Sequence, residues 1–291
     1  MPRSAVAVGR ALPLRGACRS SRLLALLLML TGLIGPCSYA QTVALTFDDG
    51  FDSTSEQAAS DNTAVLAALK RHRIRAMLFP AGFLADIPQN MTLVQAWSQA
   101  GHAIGNHTYS HEALSKTDTA RYIDDILHAQ ALLHALPGWC PRLRFPYLDE
   151  GGSGPQYHQA MQSLAHAGYG IAPVTIAMPD WELTQRYEAI LAGGSAADAQ
   201  AFRRSYLDQV WQQAQTQEAH WRTLLGRSPA HVLLLHTNRL NAAVLPELLK
   251  LFERNGWSFT DATAALQDPI YQRSYNQADG TVATLPNPAC R

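Results

Sequence analysis

Cysteine is scarce in this chain, with four in 291 residues. Two of them, Cys18 and Cys37, fall within the first forty residues. If that stretch is removed, at most one intrachain disulfide is possible. An excess of basic charge is also missing. Lysine plus arginine and aspartate plus glutamate both come to 23. Five of the arginines (Arg3, Arg10, Arg15, Arg19, Arg22) lie in residues 1–40, which hold no acid, so 41–291 carries 18 basic against 23 acidic residues, a net of −5. That balance speaks against a nucleic-acid binder, which needs a basic surface. A membrane-spanning run is lacking too: Leu23 to Ile34 gives only 12 residues, where a spanning helix needs about 20. Residues 41–291 contain no internal repeat, low-complexity tract or proline- and serine-rich linker. With 47% hydrophobic residues, one domain with a substantial core is the simplest account.

Residues 1–40 have the layout of an export signal. A basic start is followed by the apolar run and then by Ser38-Tyr39-Ala40, a small-residue cleavage pattern. The expectation is a signal peptide over 1–40 and an exported chain over 41–291, periplasmic or secreted, with no stable membrane span. Pro36 before Cys37 departs from a lipoprotein site. An uncleaved anchor is disfavoured because strand-like sequence starts almost at once after Gln41. In an oxidising compartment Cys140 and Cys290 either form one disulfide or remain unrelated thiols. A bridge over so long a loop would contribute roughly 4–5 kcal/mol on a chain-entropy account.

Strand-like and helical patterns alternate from Gln41 onward. Val43-Ala44-Leu45, Ala76 to Phe79, His102 to Gly105, Arg142 to Phe145, Gly170 to Ile176, Val232 to Leu235 and Trp257 to Phe259 read as strands. Between them Asn62–His72, Thr92–Ala100, Thr117–Leu136, Gln156–Ala167, Gln200–Leu225 and Ala242–Glu253 read as helices. In Thr117–Leu136 the residues Ile123, Ile126, Leu127 and Leu133 form a stripe interrupted by Gln130. Such alternation implies a parallel sheet covered by helices, open or closed, whose ligands gather at the C-terminal ends of the strands.

The unusual polar residues fall at those ends. Asp48 and Asp49, within Thr46-Phe47-Asp48-Asp49-Gly50, close the first strand. Neighbours on a strand point to opposite faces, so the two acids cannot serve identically. Alone, the triplet reads as a solvated turn. Gly105-Asn106-His107-Thr108-Tyr109-Ser110-His111 follows the third strand. In a helical turn His107 and His111 would share a face and could meet one cation, although a lone pair at this spacing is common by chance. With Asp49 they make a two-nitrogen, one-oxygen set of catalytic-zinc type. Arg144-Phe145-Pro146-Tyr147, Asp180-Trp181 and His236 end later strands. The other eight histidines carry no motif, and Asn106 either orients an imidazole or closes a turn.

As an ordered set these segments resemble the polysaccharide deacetylase family, the carbohydrate esterases with a NodB-like domain. The resemblance spans about 190 residues; the motifs are specific together and weak singly. It implies a single-domain, distorted (β/α)7 barrel. It also implies a divalent metal on Asp49, His107 and His111, with Zn²⁺ expected and Co²⁺ or Ni²⁺ as substitutes. Asp48 would be the base, Arg144 its partner, and His236 the proton donor, with Asp180 on its second nitrogen. The Tyr147 backbone N–H would meet the oxyanion and Trp181 would wall the acetyl or sugar. The expected substrate is an acetylated oligo- or polysaccharide, cleaved at N- or O-acetyl groups. Hydrolysis of other amides on the same barrel, and glycan binding without catalysis, are the alternatives. Two departures from the family stand out. An acidic, glycine-rich loop, Leu148 to Gly154, replaces a small residue, and 182–230 is a long segment expected to cover one side of the site.

Overall fold

A computed structural model describes residues 41–52 and 56–290. The expected signal peptide over 1–40 lies outside the described residues. The sheet is built on β1 (Thr42–Asp49). Its Val43, Ala44, Leu45 and Phe47 are fully buried. This is the mark of a parallel strand covered on both faces, which therefore shows no polar–apolar alternation. β2 (Met77–Pro80), β3 (Ala103–Asn106), β4 (Trp139–Leu143), β5 (Gly170–Ile171) and β6 (Ala230–His236) complete the main path in the order β5-β4-β3-β2-β1-β6. β7 (Ser258–Phe259) pairs with the start of β1. All these pairings are parallel.

The Gly170–Ile176 stretch is where the barrel distorts. Only Gly170 and Ile171 pair with β4. The chain then crosses over, and Ile176 forms a parallel bridge with Leu233 of β6. One extended segment thus touches both ends of the strand path and curls the sheet towards closure. Its middle, Pro173 included, does not continue the ladder, because proline has no N–H to give.

Helices cover the sheet: α1 (Ala58–Arg71), the single turn α2 (Gly82–Ala85), α3 (Pro88–Gln99), α4 (Thr119–Leu133) and α5 (Pro155–His166). After β5 come α6 (Asp180–Gly193), α7 (Ala196–Leu225), α8 (Arg239–Arg254) and the short α9 (Ala262–Ala265). α8 turns Leu240, Val244, Leu245, Leu248, Leu249 and Phe252 inward, three and four residues apart. In α4 the buried stripe is Tyr122, Ile126, Ala129 and Leu133, whereas Leu127 is 40% exposed. The stripe is rotated from the expected one because Tyr122 packs parallel to the Phe145 ring at 6.0 Å. The long segment 182–230 resolves into the rest of α6 and α7, parted at Ser195. Ser195 accepts from the Asp198 N–H, and Asp198 accepts from the Ser195 N–H, forming a capping box. α6 and α7 both pack against α8. A two-stranded antiparallel hairpin, β8 (Ser274–Asn276) and β9 (Val282–Thr284), lies against α5. Cys140 in β4 is joined by a disulfide to Cys290 in the tail.

Candidate active site

Register is what brings the distant motifs together. Asp48 is level with His236 of β6 on one side and Phe79 of β2 on the other. Two strands on from β1, Asn106 of β3 is level with Leu143 of β4, so His107 and Arg144 leave the sheet side by side. Because every strand runs the same way, all these ends open on one side of the barrel.

There they line a cleft of about 520 Å³ formed by Asp48, Asp49, His107, His111, Tyr147, Trp181 and His236, with Phe145, Leu148, Ala177, Met178, Pro179 and Leu234 as apolar walls. Neighbouring acids on a regular strand would face opposite ways. Here Asp49 has φ 76°, which swings its carboxylate off the strand and into the cleft beside Asp48. Thr108, His111, Tyr147 and Leu148 also have left-handed backbones, with φ between 55° and 62°. Among the described residues Arg73 is the only other non-glycine of this kind. Concentration of such costly conformations around one pocket is the pattern of a functional site.

His107 and His111 do not lie in a helical turn. The segment is an irregular loop, because positive φ at Thr108 and His111 is incompatible with a right-handed helix. The two imidazoles still converge, with ring centroids 4.8 Å apart. Asp49 Oδ1 lies 3.5 Å from His107 Nε2 and 3.3 Å from His111 Nε2, yet it is buried without a hydrogen-bond partner. His107 Nδ1 sits 2.7 Å from the Arg144 carbonyl. A carbonyl only accepts, so Nδ1 carries the hydrogen and Nε2 presents its lone pair. Burial and the neighbouring His107 depress the His111 pKa, favouring the neutral, ligating form. Burial works against the Asp49 charge, but His107, His236 and His111 hold its pKa down to about 2. These three side chains form a possible metal site, all their donor atoms lying within 4.8 Å of one another. An orphaned carboxylate oxygen facing two imidazole nitrogens is the arrangement a divalent ion satisfies.

Asp48 is held differently. Arg144 Nη1 donates to both its oxygens at 3.0 Å. Arg144 is 1% exposed, and its remaining contacts are internal. Nε donates to the Ala172 carbonyl at 2.6 Å, Nη2 to Thr46 Oγ1 at 3.1 Å, and the guanidinium lies 4.7 Å from the centre of the Phe79 ring. A side chain on Gly105 would come within 2.4 Å of that ring, so glycine there is a packing requirement. Burial lowers the Arg144 pKa while Asp48 opposes it.

His236 stands across the cleft. Its Nδ1 is 2.5 Å from Asp180 Oδ1, and its backbone N–H donates to Asp180 Oδ2 at 2.8 Å. Burial alone would lower its pKa, but the Asp180 hydrogen bond and charge, with Asp48 and Asp49 beyond, raise it to about 9. Trp181 meets the His236 ring edge-on at 5.5 Å and is 49% exposed. Tyr147 is 72% exposed, its ring against His111 at 4.9 Å.

Two further residues hold the histidine loop. Asn106 Oδ1 accepts from the Thr108 N–H at 2.8 Å, while its amide donates to the Ile126 carbonyl and the Tyr169 hydroxyl, both at 2.9 Å. It closes the turn. Asp125 of α4 accepts from the N–H groups of Tyr109 and Ser110, holding the histidine loop from outside; nothing in its sequence position separates it from a surface acid. In the acidic loop Leu148 lines the cleft, while Glu150 pairs outward with Arg273 at 3.2 Å. No residue of the long 182–230 segment lines the cleft, contrary to expectation; the residues just before it, Ala177 to Pro179 and Trp181, form that wall instead, because the segment itself packs against α8.

A curled, parallel α/β sheet with three imidazoles and two carboxylates at its C-terminal mouth defines a barrel-type α/β scaffold with a candidate metal centre. Residues 36–171 match the polysaccharide deacetylase family. A peptidoglycan-N-acetylglucosamine deacetylase of Bacillus cereus is 38% identical over 114 residues, which is 39% of this chain and 38% of the relative's length. The chain thus spans well under half of that relative. The peptidoglycan-N-acetylmuramic acid deacetylase PdaA of Bacillus subtilis is 27% identical over 223 residues, covering 75% of this chain and 69% of that protein. The solved peptidoglycan deacetylase PdaC of Bacillus subtilis shares the fold with a TM-score of 0.54 at 18% identity, covering 78% of this chain and 91% of that one. Among the described residues no helix is long and apolar enough to cross a membrane.

Proposed function

We propose that the protein is an exported, metal-dependent carbohydrate deacetylase that hydrolyses N- or O-acetyl groups of a glycan. The observation that carries this reading is the orphaned Asp49 Oδ1 facing His107 Nε2 and His111 Nε2, with Asp48 and His236 in the same cleft. The names of the relatives point to acetylated amino sugars. The apolar cleft walls and exposed Trp181 suit a sugar face or an acetyl methyl. The basic start, apolar run and Ser38-Tyr39-Ala40 support export, and the cystine fits an oxidising compartment.

A divalent ion on Asp49, His107 and His111 would supply Lewis acidity to a water and an acyl oxygen, and the donor set suits Zn²⁺, with Co²⁺ or Ni²⁺ able to replace it. Asp48, its two oxygens braced by Arg144, takes a proton from the attacking water. As the water oxygen adds to the carbonyl carbon, the Tyr147 N–H donates to the developing oxyanion. The C–N or C–O bond then breaks. His236, with Nδ1–H committed to Asp180, gives the Nε2 proton to the departing amine or alkoxide, and acetate is released.

The test is acetate release from chitooligosaccharides, peptidoglycan and acetylated xylan, with and without chelator. Release from at least one glycan, lost on chelation and restored by Zn²⁺ or Co²⁺, is expected. Full activity in the chelated protein, or no release from any acetylated glycan, would refute the proposal.

A further inference from the structure

The support behind His236 does not end at Asp180. Asp180 Oδ2 also accepts from the side-chain amide of Asn241, and the same Nδ2 donates to the His236 carbonyl at 2.8 Å. Asn241 Oδ1 in turn accepts from the Tyr206 hydroxyl at 2.8 Å. Carboxylate and carbonyl oxygens only accept, so the amide can face only one way, and both its hydrogens are used. Asn241 and Tyr206 are each 1% exposed, which leaves no water to substitute for these contacts. Burial and the charge of Asp180 push the Tyr206 phenol well above its ordinary pKa, so it stays a donor. Three elements far apart in sequence meet here: the first residue of α6, the first turn of α8 and the middle of α7.

We infer that Asn241, backed by Tyr206, is the positioning residue for the proposed proton donor, locking Asp180 and the backbone of His236 into one unit. This rests on the reading of His236 as the acid and extends it. Asp180 binds the imidazole through one oxygen only, so rotation of the carboxylate would release Nδ1–H. Asn241 opposes that rotation on the other oxygen while holding the end of β6 through the His236 carbonyl. Tyr206 keeps the Asn241 amide from flipping. The unusually long segment before β6 therefore contributes a functional group to the site without reaching the cleft.

The test uses the intact protein with Asn241→Leu and Tyr206→Phe, reading kcat and KM for acetate release and the ¹⁵N signals of the His236 ring. The ring is observed in metal-free protein well above its pKa of about 9, where it is neutral. Asn241→Leu is expected to lower kcat about 10- to 100-fold, as loss of a buried supporting partner does at metal sites, with KM within about twofold. Its ring signals should move from an Nδ1–H tautomer to a mixture. Tyr206→Phe should shift both readouts the same way by less, about three- to tenfold in kcat, the scale of one hydrogen bond. Unchanged kcat and ring signals in the two variants, or a change confined to KM, would overturn the inference. Should Asn241→Leu fail to fold, Tyr206→Phe, which removes a single oxygen, decides alone. A wild-type protein that releases no acetate would sink the deacetylase reading, while the ring signals would still decide the role of Asn241.

Discussion

Replacing Asp180 with asparagine is the sharpest test of the proton-donor assignment. The Asp180 carboxylate accepts three hydrogen bonds, from His236 Nδ1, the His236 backbone and Asn241. It supplies the largest effects raising His236 from 6.5 to about 9. That interval corresponds to about 3 kcal/mol of preference for the cationic ring. The pKa is raised on folding, so the associated stability is fully present below about 6.5 and is lost as pH rises through about 9. In Asp180→Asn the charge is gone and burial acts unopposed by it, so the ring pKa should fall well below its wild-type value. An amide also carries only one acceptor oxygen, and its NH2 would face the Asn241 NH2. The alkaline limb of kcat/KM should therefore move down by about two units, and kcat near neutrality should fall about 10²- to 10⁴-fold, the range of a general acid–base contribution. NMR titration of His236 in metal-free protein checks the pKa directly, and a pH–rate profile checks its use. If the ring titrates at the same pH in both proteins, or the rate profile does not move, the chain of reasoning from Asp180 to catalysis is wrong.

Asp48→Asn should abolish measurable deacetylation while leaving the ion bound, as isothermal titration with Zn²⁺ would show. It also leaves the buried Arg144 cation unpaired, at a cost of about 3–5 kcal/mol read from denaturant unfolding. His111→Ala should weaken Zn²⁺ binding by at least tenfold in the same titration, since it removes one of three ligands. Asp125→Ala should loosen the histidine loop without touching the cleft, lowering metal affinity about 10-fold; hydrogen exchange at Tyr109 and Ser110 would report it. Cys290→Ser should lower the unfolding free energy under oxidising conditions, by up to roughly 4–5 kcal/mol on the chain-entropy account as read from denaturant unfolding, with the wild type matching it once reduced.

Much of the site was legible because a parallel sheet has a polarity. Asp48, His107, Arg144, Asp180 and His236 each end or follow an apolar run, and with all strands aligned those ends collect in one place. The ordered motifs were therefore readable without coordinates, as were the helices between them. The stripe on α4 was less so, because Tyr122 counts as core only once the Phe145 ring it stacks on is seen.

Sequence by itself determined the alternation of strand and helix, the donor types and the order in which they arrive at the mouth. Tertiary structure decided how they face one another. The level pairing of Asp48 with His236 is a matter of strand register, and the turn of Asp49 into the cleft is a matter of a left-handed backbone. Both depend on hydrogen bonds to residues distant in the chain, such as the Thr237 N–H donating to the Asp48 carbonyl and the Ala81 N–H to the Asp49 carbonyl. The placements of Asp125, Asn241 and Tyr206 were decided in the same way. Each sits on a helix whose facing is set by what it packs against, and a local pattern carries no record of that partner.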